Sequence, residues 1–521
     1  MIIGKTCTFY SEKGDTMLKD FSIMSLSAVS NGKELSEKAA KKYGTEIKYD
    51  RDGKIYIKNP DMGVSFIEIC FPRPFSENAL VYGDAFERGY GDLQWKKDRR
   101  DTLRWYFVAA DGNDTYGFGV KTQPNALCSW QISDDTVKLV CDIRSGTNET
   151  RHSDCFFVAE LVFLSSAATE LHDFCRQFCK AMCDEPSFCD RPVFGANDWY
   201  CNYGNSSAEK ILRAAKFAVH CADGLPHKPF VVIDDGWQKN HNDDFNGGEW
   251  DGSNENFGDM KTLAARIKDL GAIPGLWFRP LQSKAKLPKE CFTDRNEFLL
   301  DPSHPQVLNS VASDIKRFYD WGFRLVKYDF VTADIFQKWG FEMSDDYFSS
   351  EMHFFDTSKT TAEIIKNFYR TIRNAAPDDM LLLGCNAVGH LAAGLVNMQR
   401  TGDDTSGEQW ERTKKMGVNT LAFRMMQHGT FFDADADCVG ITDKVPLHLN
   451  ARWLDVLSKS STPLFVSVAE NCETDETASL VSQAFANAVK YRQPSVPVDW
   501  LDTLTPHNWY TDVGSDKYEW E

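Results

Sequence analysis

FRLVKYDF, Phe323 to Phe330, reads as a buried parallel strand, apolar and aromatic for most of its length and ending in Lys327 and Asp329. The two side chains lie two apart and so share a face, where an ammonium favours the charged form of a neighbouring carboxylate. A positioned carboxylate at a strand's C-terminal end is a nucleophile candidate in a β/α barrel. A structural ion pair capping the strand would use the same residues. The flanking sequence decides between the two.

Working outward, the rhythm strand, loop, helix recurs from about Pro192. The other candidate strands are PVFGANDWY, PFVVIDDGW, AIPGLWF, MLLLGCNA, LVNMQRTGDD, GTFFDADAD and TPLFVSV. Amphipathic helices such as SAEKILRAAKFAVHCA and TAEIIKNFYRTIRNAA lie between them, several opened by Ser, Asp or Thr and closed by Gly or Pro. Eight such units are what a (β/α)8 barrel needs. The rival, a doubly wound open sheet, lacks its Gly-rich phosphate turn after the first strand.

The N-terminal part is different. EIKYDRDGKIYIKNP is a hairpin signal with Asp52 and Gly53 at the turn, and WYFVAADGNDTYGFGVK, SDDTVKLVCDIRSG and CFFVAELVFL add strands. A β-sandwich is expected, followed by a helix in ATELHDFCRQFCKAMCDEP. The organisation is therefore multidomain: a sandwich with its bridging helix over 1–185, a catalytic barrel over 186–490, and a tail over 491–521 that folds back or is the remnant of a β-domain.

At 521 residues the chain has length for two or three domains, and its net charge of −18 argues against nucleic acid or an anionic membrane as partner. A neutral small molecule or oligosaccharide is expected instead. The opening MIIGKTCTFYSEKGD has no apolar run or cleavage site, which with the 15 scattered Cys indicates a cytoplasmic, reduced protein. His172, Cys175, Cys179 and Cys183 recur at helical spacing, which puts them in one stripe without folding them round an ion.

Polar residues at barrel strand ends meet at one face. Here they are Asp198, Asp234 and Asp235, Lys327 and Asp329, Asn386, Arg400 with Asp403 and Asp404, and Asp433, Asp435 and Asp437, with Trp199, Trp237 and Trp277 among them. Carboxylates with Trp, Lys and Arg but few histidines suit glycoside hydrolysis better than transition-metal chemistry. Two other readings stay open: helix-capping or loop-solvating acids, and Mg²⁺ or Mn²⁺ held by the DADAD run.

VVIDDGWQ, GEWDGSNENFGDMKTLAARIKDLGAIPGLWF, VKYDF, LLGCNA, RTGDDTSG and FDADADC, in this order over roughly 193–440, resemble glycoside hydrolase family 36, which shares a clan with the family 27 α-galactosidases. The resemblance implies a retaining α-galactosidase without cofactor or metal, Asp329 as nucleophile and Asp404 as acid/base, with Asp403 as the adjacent alternative. It implies sugar contacts from Asp234, Asp235, Trp237, Trp277, Lys327, Cys385 and Arg400. Asp404 would need a raised pKa, such as a closed apolar pocket gives. Arg279 stands where many members have an acid after GLWF, which leaves the sugar open: an N-acetylated galactoside, another α-hexoside, a transglycosylation acceptor, or a non-catalytic binding role. Relatives often assemble through their β-domains, so an oligomer is also left open.

Overall fold

The computed structural model describes residues 23–521 apart from 98, 99, 168, 243, 295, 344, 345, 349 and 512. The opening residues read above for a leader lie outside the described residues.

All eight expected strand runs enter one parallel sheet of nine strands. In chain order these are Phe194–Asn197, Phe230–Ile233, Ile273–Phe278, Leu325–Tyr328, Leu381–Gly384, Met398–Arg400, Asp433–Asp435, Val439–Ile441 and Leu464–Val468. The extra strand arises because the seventh run breaks: Asp433–Asp435 pairs with the sixth strand and Val439–Ile441 with the last, which in turn pairs with the first. The two edge strands are thus consecutive in the chain, separated only by Ala436, Asp437 and Cys438, and the sheet is curled. Asp437 takes φ 73°, a left-handed conformation that costs a non-glycine residue energy and is typical of functional sites.

The helices between the strands form where the caps predict them. Ser207 accepts from the Lys210 N–H, Asp259 from that of Thr262, and Thr360 and Glu363 make a reciprocal capping box. Helix Pro305–Trp321 stops at Gly322, whose φ of 108° an L side chain rarely adopts. The inner stripes of these helices bury short strands such as Phe230–Ile233 and Leu381–Gly384, which are apolar throughout, and polar side chains gather near the strand ends.

The N-terminal strands are antiparallel and eleven join one sheet, ten along one hydrogen-bonded path with Leu80–Asp84 paired onto Leu103–Asp111 off it. Four strands stand between those of Phe71 and Phe163 in that order, yet their rings meet at 5.1 Å, so the path folds over on itself round an aromatic core with Phe107, Phe118 and Trp130. Helix Leu171–Met182 covers it, with His172, Cys175 and Cys179 buried along the inner face. Among the described residues, no group of three or more His, Cys, Asp or Glu side chains is placed to hold a metal ion. No helix among them is long and apolar enough to cross a membrane.

Residues 496–517 make a small three-stranded antiparallel sheet. Trp500, just after its first strand, packs against Trp95 and Tyr82 of the N-terminal half and against Phe423 of the parallel half. The tail therefore fastens both halves together.

Candidate active site

The strand ends bring most of the expected residues to one mouth, while Asp433 opens its strand and accepts instead from the Cys189 backbone N–H, and the pairing differs from the sequence expectation. Lys327 donates to Asp234 Oδ2 at 2.7 Å, and Asn197 donates to the same oxygen at 2.6 Å. Burial alone would lower the Lys327 ammonium, but Asp234, Cys385 and Asp329 together outweigh it and hold the group well above its ordinary value. Lys327 is thus the direct partner of Asp234, and Asp329 contributes to it only at longer range. The two-residue spacing puts Lys327 and Asp329 on one side of the chain, but the strand ends at Tyr328, so Asp329 is already free of its pleat.

Asp329 is held otherwise. The Trp277 indole N–H donates to its Oδ2 at 3.2 Å and the Phe330 backbone N–H to its Oδ1 at 2.7 Å. Phe330 sits at φ 60°, and this turn folds its amide back onto the preceding carboxylate. No salt bridge reaches Asp329 among the described residues.

Asp235 accepts from Gln238 at 2.7 Å and from Asn246 at 3.0 Å, and burial raises its carboxyl to about 6. Asp198 receives the Asp234 backbone N–H at 2.8 Å and is likewise raised to about 6 by burial. Trp277 adjoins Asp329, whereas Trp237 stands behind it, wholly buried against Phe318 and Trp321, with its N–H on the Trp277 carbonyl. Trp237 has no open face for a ligand and serves to fix Trp277.

Arg279 does not project freely. It forks onto Asp334, with Nε 3.0 Å from Oδ2, donates also to Asn246, and lies 4.1 Å over the Phe330 ring. Since Asn246 in turn donates to Asp235, the cation reaches the acidic pair through an amide.

On the opposite side, Arg400 is 1% exposed and its Nη2 lies 2.8 Å from Asp437 and 3.1 Å from Asp404. Asp437 accepts further bonds from Tyr200 and from Thr405, and Asp435 is raised to about 6 by burial. Cys385 lies 3.4 Å from Arg400, its thiol pushed up by burial and by Asp329. Asp403 and Asp404 part company: Asp403 is clamped by Arg88 and Arg412, each at 2.8 Å, while the Asp404 side chain remains 38% exposed. Burial would raise Asp404, but Arg400, Arg88 and Lys327 outweigh it and hold the group below the usual carboxylate range. The apolar surroundings expected for Asp404 are thus replaced by cations.

Arg88 comes from a segment that sequence reasoning missed. The loop around Glu87–Asp92 of the N-terminal half inserts at the mouth, where Gly89 and the Thr401–Asp403 stretch exchange backbone hydrogen bonds of 2.8 and 2.9 Å. A Cβ on Gly402 would overlap the Met416 carbonyl, so the packing of this stretch against Met416 requires glycine. Glu87, pushed up by burial, accepts from Gly340 and Asn386, and Arg88 lies over Trp339 at 5.2 Å. Its sequence, DAFERGYGD, carries charge and glycines within a β-rich half and was the available signal.

No protein-family model matches the chain. In fold, its two halves are similar to solved GH36 α-galactosidases. The α-galactosidase TtGalA from Thermus thermophilus, in complex with p-nitrophenyl α-D-galactopyranoside, superposes with a TM-score of 0.60 at 15% identity, over 96% of this chain and 99% of that one. A GH36 α-galactosidase AgaA variant from Geobacillus stearothermophilus in complex with raffinose gives 0.60 at 13% identity, over 97% and 80%. The α-galactosidase from Lactobacillus brevis gives 0.57 at 13%, over 95% and 76%. At these identities the likeness is one of fold.

Proposed function

We propose that the chain is a retaining, exo-acting α-glycosidase that hydrolyses terminal α-galactosides. In this reading residues 186–490 work as a closed (β/α)8 barrel, and the N-terminal sandwich, to residue 185, walls its mouth through Arg88. The observation that carries the proposal is the contrast between two strand-end acids: Asp329, buried and fixed by two N–H donors without an ion pair, and Asp404, partly open beside Arg400. One suits a nucleophile, the other a group that exchanges protons with the leaving group and water.

An oxygen of Asp329 bonds to the anomeric carbon as the bond to the leaving oxygen breaks, and Asp404 gives its proton to that oxygen. Water then attacks the same carbon, Asp404 takes its proton, and the bond to Asp329 breaks, with net retention. Asp404 must be protonated for the first step, although three cations favour its anion. A bound sugar covers its exposed face, and the added desolvation works towards the acid form. Asp234 and Asp235 accept sugar hydroxyls, with Lys327 and Asn246 keeping each carboxylate in place. Arg279 acts on the sugar through Asn246. The fold neighbours, two of them in complex with an α-galactoside, support this substrate class.

The test is to offer p-nitrophenyl α-galactoside and follow the anomer of the freed sugar by NMR. The α-anomer appearing first supports the proposal; the β-anomer first, or no release, contradicts it.

A further inference from the structure

The break in the seventh strand run puts a single carboxylate at the centre of a hydrogen-bond network. Asp437 is 3% exposed and stands between Asp433–Asp435 and Val439–Ile441 in its left-handed conformation. Its Oδ2 accepts from the Tyr200 hydroxyl, from the Thr405 backbone N–H at 2.8 Å and from the Thr405 hydroxyl at 3.0 Å, and lies 2.8 Å from Arg400 Nη2. A non-glycine residue keeps such a backbone only where its surroundings hold it there. These contacts do so.

Two of them lead to Asp404. Arg400 Nη2 also lies 3.1 Å from Asp404 Oδ1, so one nitrogen serves both carboxylates. Thr405 is the residue after Asp404, so Asp437 fixes the peptide that follows it as well. The rest of the guanidinium is weakly engaged: Nη1 lies 3.4 Å from the Cys385 sulfur, and Nε has no partner among the described residues. Burial works against the Arg400 cation, and Asp437 is foremost among the groups that hold it charged, ahead of Cys385 and Asp404. A cation shared between two anions favours the charged form of each less than it would favour one alone.

Lys327, Arg88 from the N-terminal half, Asp435, Tyr200 and the thiols of Cys385 and Cys438 also face the two carboxylates. Lys327 and Arg88 add to the hold of Arg400 on the Asp404 anion. Asp437 is the acid that bonds the same guanidinium and so offsets them.

We propose that Asp437 is a positioning residue for the acid/base: it anchors Arg400 and the Thr405 peptide and draws part of the Arg400 charge away from Asp404, which lets Asp404 carry the proton that the leaving oxygen takes. The inference rests on the glycosidase reading above. Without the Asp437 charge, Arg400 turns wholly to Asp404 and keeps it anionic.

The experiment follows kcat against pH for the full chain on raffinose and on nitrophenyl α-galactoside, in wild type, Asp437→Asn and Tyr200→Phe. Asp437→Asn keeps the shape and removes the charge. The basic limb of kcat on raffinose, which reports Asp404 with substrate bound, is expected to move to lower pH by about one unit or more. On that limb the loss should be at least about tenfold larger on raffinose than on the nitrophenyl substrate, whose leaving oxygen needs little protonation. Tyr200→Phe leaves the charge but takes one donor from it, so Asp437 draws harder on Arg400 and the limb should rise by about half a unit. A limb that stays or rises in Asp437→Asn, or the same fold-loss at every pH and on both substrates, overturns the inference. If Asp437→Asn gives no folded protein, Tyr200→Phe decides, a rise supporting the inference and an unmoved or lowered limb overturning it. If the wild type cleaves neither substrate, the glycosidase reading itself fails and the inference falls with it.

Discussion

Lys327 gives its ammonium to Asp234, at 2.7 Å, and not to Asp329 two residues along its own strand. The pair spans the fourth and second strands across the curled sheet, and both members are buried. It sets the acidic pair in place and leaves the nucleophile candidate to two N–H donors.

Removing one member of such a pair strands a buried charge. Lys327→Met is expected to destabilise the fold by about 3 kcal/mol or more, read as a lower thermal midpoint. Adding Asp234→Asn removes the stranded charge, so the double variant should lose less than the sum of the singles. Strict additivity would show that the two side chains do not act as a pair.

Arg88 holds Asp404 down from the N-terminal half. Arg88→Gln therefore lets the Asp404 pKa rise. Because the first step needs Asp404 protonated, the basic limb of kcat/KM against pH should move to higher pH. A shift to lower pH, or none, contradicts this assignment of the electrostatics.

Asp403 and Asp404 are separated by leaving-group dependence. Asp404→Asn should lose far more rate on raffinose than on nitrophenyl α-galactoside, whose leaving group needs little protonation. Asp403→Asn, between Arg88 and Arg412, should keep most of its turnover on both. The reverse pattern would move the acid/base role to Asp403.

Asp435 is raised by burial from an unfolded value near 4 to about 6. A raised carboxyl means that the folded state binds the extra proton, so its contribution, on the order of 3 kcal/mol, is complete below the unfolded value and is lost as pH rises through about 6. Asp435→Asn should accordingly flatten the fall in thermal midpoint between pH 5 and pH 7. An undiminished fall would place that titration elsewhere.

The curled sheet was legible because its strands are short apolar runs ending in acids, a pattern that survives without tertiary information. The break at Ala436–Cys438 was not, since DADADC alternates as an unbroken strand would and only the pairing of its two ends with different strands interrupts it. Asp329, Asp404 and the acidic pair were singled out because each follows the end of an expected strand, and the structure brings them to one mouth. Arg88 and Glu87 were hidden, being brought to the mouth by docking of the two halves. Trp237 was read as lining the pocket because a Trp beside DDG gives no sign of which way it faces; Phe318 and Trp321, on a helix far along the chain, bury it.

The central claim is that Asp329 attacks the anomeric carbon. The most direct test compares wild type with Asp329→Ala on nitrophenyl α-galactoside, with azide added to the variant. The variant is expected to lack turnover, and azide to restore its nitrophenol release with formation of the β-galactosyl azide. A variant that keeps turnover without azide, or an azide product of α configuration, would contradict it.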